Sequence, residues 1–178
     1  RLRLFVGQRT ATSQTSDLTP GVVEKLVDET LEMAHLTSED ASSGLPEGPV
    51  YAKDIPDLRL ADPSWDNVKP EQRIELARRA EAAALGADPA ITNSGGGSFE
   101  YERSRTIVAN TLGFLGGYET TGAYLISMPI AESNGAMQQD YWLSVSRHRD
   151  RLDSPEEVGR VAAQRVMRRL GARKVKTC

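Results

Sequence analysis

The chain has 178 residues, enough for one large domain or two small ones, and its 39% hydrophobic and 26% charged residues permit a sizeable core. Twenty-two basic against 25 acidic residues leave a net charge of -3, which argues against a surface built throughout for nucleic acid or an anionic membrane. The single cysteine, Cys178, excludes an intramolecular disulfide; no apolar run approaches the ~20 residues of a membrane span, and no segment has the order of a signal peptide, so the chain reads as cytoplasmic.

Leu2, Leu4 and Val6 alternate from the first residues, and strands over 2–6 and 9–15 are expected to form a hairpin around Gly7-Gln8. A helix follows, with Thr19 as N-cap and Pro20 at N1, where a missing N–H costs nothing. Leu18 and Val23 are placed to staple its entry. Val23, Leu26, Val27, Thr30, Leu31 and Ala34 form one mostly apolar stripe at helical spacing. Residues 36–69, rich in turn formers such as Ser42-Ser43-Gly44, Pro56 and Pro63, read as a connector lying over the surface, with a short strand near Val50-Tyr51. The expected division is an N-terminal hairpin-plus-helix region over 1–53, a linker over 54–69 and a central domain over 70–178. A second helix is expected from Pro70 to Leu85, ended by Gly86; its cap is poor, because Lys69 stands where Ser or Asp is preferred.

From Ile91 to Arg147 the pattern changes to period two. Asn134-Gly135 is the strongest short hairpin signal in the chain, and a two-residue loop there pairs Met128 with Tyr141, Ile126 with Leu143 and Tyr124 with Val145. Pro129, opposite Asp140, lacks a ladder donor and predicts a bulge or an edge. Gly113, Gly116 and Gly117 mark the turn between a strand around Ile107-Val108 and one starting near Tyr118. Ser154-Pro155-Glu156-Glu157 is a capping box for a last helix, with Val158, Val161, Ala162, Val166 and Leu170 on one face and Gly171 at its end. The fold class expected is α+β: an antiparallel β-meander with three main helices packed on the sheet. The first residues read as the inside of a strand and 173–177 as the start of another, so the chain reads as part of a longer protein.

No residue set has the form of a catalytic, cofactor or metal centre. His35 and His148 lie far apart, neither in a ligand-spaced motif; the first suits a helix C-terminus and the second a solvated strand end. Asp150, Asp153, Glu156 and Glu157 surround a helix start, where capping and the dipole account for them. Ser94-Gly95-Gly96-Gly97-Ser98 lacks both the P-loop lysine and the Gly-x-Ser-x-Gly elbow, which leaves a bulged strand entry. If Ser94, Gly95, Gly96, Gly97, Ser98 and Phe99 touch a ligand, a closely approaching peptide backbone fits best. Arg160, Arg165, Arg168, Arg169, Arg173, Lys174 and Lys176 form a basic stretch without interleaved aromatics, so it offers no base-stacking platform.

Several stretches, in order along nearly the whole chain, resemble the TldD/PmbA family, and its PmbA (TldE) branch most closely. They are Thr15-Ser16-Asp17-Leu18-Thr19-Pro20, Ile91-Thr92-Asn93-Ser94-Gly95-Gly96-Gly97-Ser98-Phe99, Ala109-Asn110-Thr111-Leu112-Gly113-Phe114 with Gly117-Tyr118, Ile130-Ala131-Glu132-Ser133-Asn134-Gly135-Ala136-Met137, and Ser154 to Leu170 with Arg173-Lys174. The resemblance implies a cytosolic protein of at least twice this length, in which a TldD subunit and a PmbA-like subunit form a heterodimeric metalloprotease for unfolded or extended peptides. It also implies that the zinc-binding His-Glu-x-x-x-His of the TldD branch lies beyond residue 178, that PmbA-type subunits lack it, and that no family catalytic residue falls on this chain. The expectation is a non-catalytic scaffold and substrate-chamber part, partnered by a TldD-like subunit or a second copy in a dimer, with zinc only in the partner or downstream. The family's older label, modulator of DNA gyrase, implies the alternative of a regulatory protein acting on gyrase or DNA.

Overall fold

A computed structural model describes residues 1–46, 48 and 54–177; the strand expected near Val50-Tyr51 lies outside the described residues. The chain divides into two compact units, Arg1–Lys53 and Asp54–Cys178.

In the first unit β1 (Leu2–Val6) and β2 (Arg9–Ser13) pair antiparallel, Leu2 with Ser13 and Val6 with Arg9. Gly7 takes the turn at φ +58°. Helix α1 spans Pro20–Leu36 after Thr19, whose hydroxyl makes no capping bond. Asp17 instead accepts from the Thr19 N–H at 2.9 Å. The expected stripe is split: Thr30 and Ala34 are buried, whereas Val23, Val27 and Leu31 stay 37–40% exposed. A two-stranded hairpin covers only a narrow line of the helix, along which the Thr30 hydroxyl bonds the Leu26 carbonyl and the Ser13 hydroxyl. Leu18 stands in solvent, so no staple with Val23 forms. The cation at the C-terminus of α1 is Arg9, which donates to the His35 carbonyl at 3.1 Å and the Thr37 carbonyl at 2.7 Å.

The second unit contains α2 (Pro70–Leu85), β3 (Ile91–Ala109), β4 (Leu115–Ser133), β5 (Ala136–Gln139), β6 (Trp142–Ser146) and α3 (Pro155–Met167). β4 is central, with β3 on one side and β5 followed by β6 on the other. The Asn134-Gly135 turn, with φ +53° and +75°, sets the expected register: Ile126 opposes Leu143 and Tyr124 opposes Val145. The ladder breaks between Gln139 and Trp142, opposite Pro129, where proline has no N–H to give. Both helices begin with proline at N1. The cap of α2 lies in Gln72, whose side chain accepts from the Lys69 N–H at 2.9 Å. In α3 Ser154 Oγ accepts from the Glu157 N–H, but the Glu157 carboxylate turns to Arg160, so only half the box forms. α3 stops at Met167, before Leu170, and its last turn tightens through the Arg169–Val166 and Leu170–Met167 backbone bonds.

α2 and α3 pack on one face of this sheet, over Ala123, Leu125, Ser127 and Ala131 of β4, all fully buried. Tyr124, Ile126, Leu143 and Val145 therefore point to the opposite face, which the helices leave open. Two glycines allow the layers to approach: a Cβ on Gly97 would stand 2.3 Å from the Ala77 carbonyl oxygen of α2, and one on Gly159 of α3 2.3 Å from that of Ala80. The segment before α2 corrects the expectation of a surface connector. Trp65, in a 3-10 turn over Pro63–Asn67, is 1% exposed and packs its ring 5.7 Å from both Phe99 and Tyr101. Its indole is the large apolar side chain that closes this end of the helix-covered face.

Two substitutions test this packing. Gly159→Val should destabilise the second unit by about 2–3 kcal/mol or prevent folding, since the overlap is with backbone, whereas Ala at Gly21, which has open space around it, should be neutral or stabilising by up to ~1 kcal/mol. Ser127 Oγ is buried and has no partner among the described residues, so Ser127→Ala should be neutral or stabilising by about 1 kcal/mol in denaturant unfolding; a clear loss would show that the hydroxyl is bonded.

Candidate functional site

The Gly-rich segment enters β3 through two register irregularities, between Ile91 and Asn93 and between Ser94 and Gly97. Ser94 Oγ accepts from the Gly96 N–H at 2.8 Å, and Gly96 takes φ +108°. The six residues singled out from the sequence divide by role. Gly97 faces α2 and Phe99 packs among Trp65, Ala80 and Leu125, so both serve the core. Gly95 faces Met128 and the Gln139 side chain, and the Ser94 hydroxyl is used within the bulge. Ser98 alternates with Gly97 and Phe99 and falls on the open face.

The feature that sequence reasoning missed is the backbone edge that continues from this bulge. Thr121 of β4 donates its N–H away from β3, to the Leu60 carbonyl at 3.1 Å. Thr121 pairs with Arg103, and paired residues in an antiparallel ladder turn their amides together toward or away from each other. The N–H and C=O of Arg103 therefore point off the outer edge of β3, as do those of Phe99, Tyr101, Arg105 and Ile107 at period two. Among the described residues nothing pairs with these groups. Arg103 is locked against Asp66 and Glu119, each at 2.7 Å, while Arg105 stays mostly in solvent. α2 packs against β3 and leaves Ile74 68% exposed.

The segment 59–65 is pinned to the sheet next to β6. The Arg147 carbonyl accepts from Trp65 Nε1 and from Thr121 Oγ1, both at 3.0 Å. Thr121 Oγ1 in turn accepts from the Asp62 N–H at 3.0 Å. The Asp62 carboxylate accepts from the Arg149 N–H at 2.8 Å and the Ser64 N–H at 2.9 Å; the Arg149 bond first, and then that of Ser64, hold it below the ordinary carboxylate value against the opposing effect of burial. His148 bonds the Arg59 carbonyl through Nε2 at 2.8 Å. An open cleft of about 1,090 Å³ lies beside this segment, between residues 55–63 and the Glu102, Ser104 and Thr120 side of the sheet.

The other charged residues singled out from the sequence are dispersed. Glu156 joins Arg79 of α2 at 2.8 Å. Asp140, 12% exposed, receives Arg165 at 3.1 Å and Arg169 at 3.7 Å. Burial alone would raise its carboxyl, but the Tyr141 N–H and the two guanidinium groups outweigh it and hold the value below the ordinary one. Among the described residues no three His, Cys, Asp or Glu side chains come together as a metal site. No helix of the described residues is long and apolar enough to cross a membrane.

Helices on one face of an antiparallel sheet, a glycine-bulged edge strand and a pinned entry segment define an α+β domain. Residues 63–170 match the family model of the PmbA/TldA metallopeptidase central domain. Metalloprotease PmbA of Escherichia coli O157:H7 is 40% identical over 176 residues, and a PmbA homolog of Haemophilus influenzae is 34% identical; each match covers 99% of this chain and 39% of the relative. A Bacteroides thetaiotaomicron structure described as a modulator of DNA gyrase superposes with a TM-score of 0.84 at 26% identity, covering 98% of this chain and 40% of its own. TldE from Thermococcus kodakarensis, at 19% identity and a TM-score of 0.66 over 93% of this chain and 36% of its own, shares the fold. The chain belongs to the TldD/PmbA family and spans about two-fifths of the length of the curated relatives it matches.

The polar knot makes a pH-dependent prediction. Because the folded-state value of Asp62 is depressed, its stabilisation is full above the ordinary carboxylate value of about 3.9 and is lost as pH falls through the lower folded value. Asp62→Ala should cost about 1–2 kcal/mol at pH 7, and the gap from the parent chain should close on acidification from pH ~5 to ~2; a gap independent of pH in thermal unfolding would contradict this.

Proposed function

We propose that this chain is a non-catalytic portion of a TldD/PmbA-type metalloprotease, forming part of the chamber wall that receives an unfolded or extended peptide. The observation that carries the reading is the outer edge of β3, where the amides and carbonyls of alternate residues from Phe99 to Ile107 have no partner among the described residues. An extended peptide can add there as a further strand, held by main-chain bonds that ignore sequence. The bulge at Ser94–Ser98 interrupts regular pairing and so sets where such a strand begins. The hydrolytic groups, zinc among them, come from a partner subunit or from another segment of a longer chain, in the cytoplasm. A regulator of gyrase or DNA is the weaker reading, because Arg165 and Arg169 turn to Asp140 and Arg160 to Glu157, which neutralises three of the seven cations in the basic stretch.

The test is hydrogen exchange of the purified chain with and without a denatured, extended peptide. Exchange at residues 99–107 should slow when the peptide is added. Arg105→Pro removes one outward N–H at a position where an edge strand tolerates proline, and should weaken peptide binding about threefold to tenfold with the circular dichroism unchanged. Unchanged exchange at saturating peptide, or zinc-dependent cleavage by the chain alone, would overturn the reading.

A further inference from the structure

We propose that the outer edge of β3 reads the charge of the strand it takes, and that Glu100 and Arg105 select and orient an extended peptide with an acidic residue five positions before a basic one. This rests on the reading that an extended peptide adds to this edge, and it names the class of peptide and the direction in which it lies.

Main-chain bonds along a sheet edge do not distinguish one sequence from another. Side chains beside the edge can, and most of the polar ones here are already committed. Arg103 is held by Asp66 and Glu119, each at 2.7 Å. Arg73 lies over the Tyr101 ring, 4.8 Å from its centre, and donates to the Val68 carbonyl. Glu102 accepts from the Tyr124 hydroxyl at 3.1 Å and borders the cleft that residues 55–63 close. The Ser104 hydroxyl bonds that of Thr120 at 2.7 Å. Two charges are left. Glu100 is exposed, and among the described residues its carboxylate has neither a hydrogen bond nor an ion pair. Arg105 is 71% exposed and reaches only Glu119, at 3.9 Å, a carboxylate that Arg103 already holds more closely.

Glu100 and Arg105 stand in the regular stretch of the ladder that follows the bulge. Five residues apart, they project from opposite faces and are separated by about 17 Å along the strand. A strand added antiparallel places one residue directly opposite each. The outward amides belong to Arg105 and its period-two neighbours, so Glu100 falls at a non-hydrogen-bonded position, where paired Cα atoms approach to about 4.5 Å and side chains are closest. Arg105 falls at a hydrogen-bonded position, with a Cα separation of about 5.5 Å. A carboxylate is therefore favoured opposite Arg105, and an ammonium or guanidinium group opposite Glu100. Antiparallel neighbours run in opposite directions, so the residue opposite Arg105 comes first in the peptide, which reads Glu-x-x-x-x-Lys from its N-terminus. The odd spacing puts its two charges on opposite faces as well, each on the side of its partner. The reverse order, Lys-x-x-x-x-Glu, meets like charges when antiparallel and must use the less stable parallel pairing to avoid them.

Fluorescence anisotropy of the purified 178-residue chain with three labelled Ser/Thr peptides tests this. One carries Glu-x-x-x-x-Lys, one Lys-x-x-x-x-Glu, and one Gln at both positions. At low salt the first should bind about tenfold more tightly than the second, with the neutral peptide between them. The difference should vanish near about 1 M salt, where screening is nearly complete. Glu100→Gln should reduce the preference to about threefold, and the double variant Glu100→Lys/Arg105→Glu should invert it. Circular dichroism identifies a variant that fails to fold, and an inverted preference cannot come from an unfolded chain. Equal affinity for the two charged peptides, or a preference that the double variant leaves unchanged, overturns the assignment. If the neutral peptide then still slows exchange at residues 99–107, the edge remains a strand site indifferent to charge. If no peptide, neutral or charged, protects those residues, the reading beneath the inference falls and the inference falls with it.

Discussion

The second unit is organised around the backbone of α2, which touches β3 at Gly97 and α3 at Gly159. At each contact a methyl group would overlap a carbonyl oxygen, so the spacing between layers is set by main chain and not by side-chain bulk. Small residues extend both contacts: Ala80, Ala84, Ala162 and Ala163 are buried around them. Close approach draws the two helices onto the same sheet face, and the Arg79–Glu156 pair joins them at the rim.

Committing both helices to one face has consequences for the rest of the sheet. The other face keeps its aromatic and aliphatic residues toward solvent, and β3, a 19-residue strand, keeps an outer edge without a neighbour among the described residues. Natural sheets blunt such edges with charges and bulges, and this one has both, in Glu100 to Arg105 and in the irregularity after Ser94. The end of the helix-covered face is closed by Trp65, delivered by a segment whose polar atoms bond the Arg147 carbonyl, Thr121 and Asp62.

This division of labour is consistent with a domain of a longer family protein. The buried side supplies rigidity through helix–sheet contact, whereas the β3 edge keeps main-chain groups without a partner among the described residues. The basic C-terminal stretch is likewise divided: Arg165 and Arg169 hold Asp140 beside the break in the β5–β6 strand path, so that part of its charge serves to fix the sheet.

Local chemistry made much of this architecture legible in advance. Proline at N1 located all three helices, Asn134-Gly135 fixed the hairpin and its register, and Pro129 marked the interruption, because these depend on φ, on a missing N–H and on a two-residue turn, which are properties of a few neighbouring residues. The sequence could not say which face of the sheet the helices would choose. Both faces of β4 carry apolar residues, and the choice fell to the side on which Gly97 opposes Ala77 and Gly159 opposes Ala80, pairs remote in sequence. Trp65 was hidden for the same reason: a proline-rich stretch looks like a surface connector until the aromatic pocket of Phe99 and Tyr101, more than thirty residues away, is assembled to receive it. Turns and caps are decided locally; burial and free edges exist only once distant segments have met.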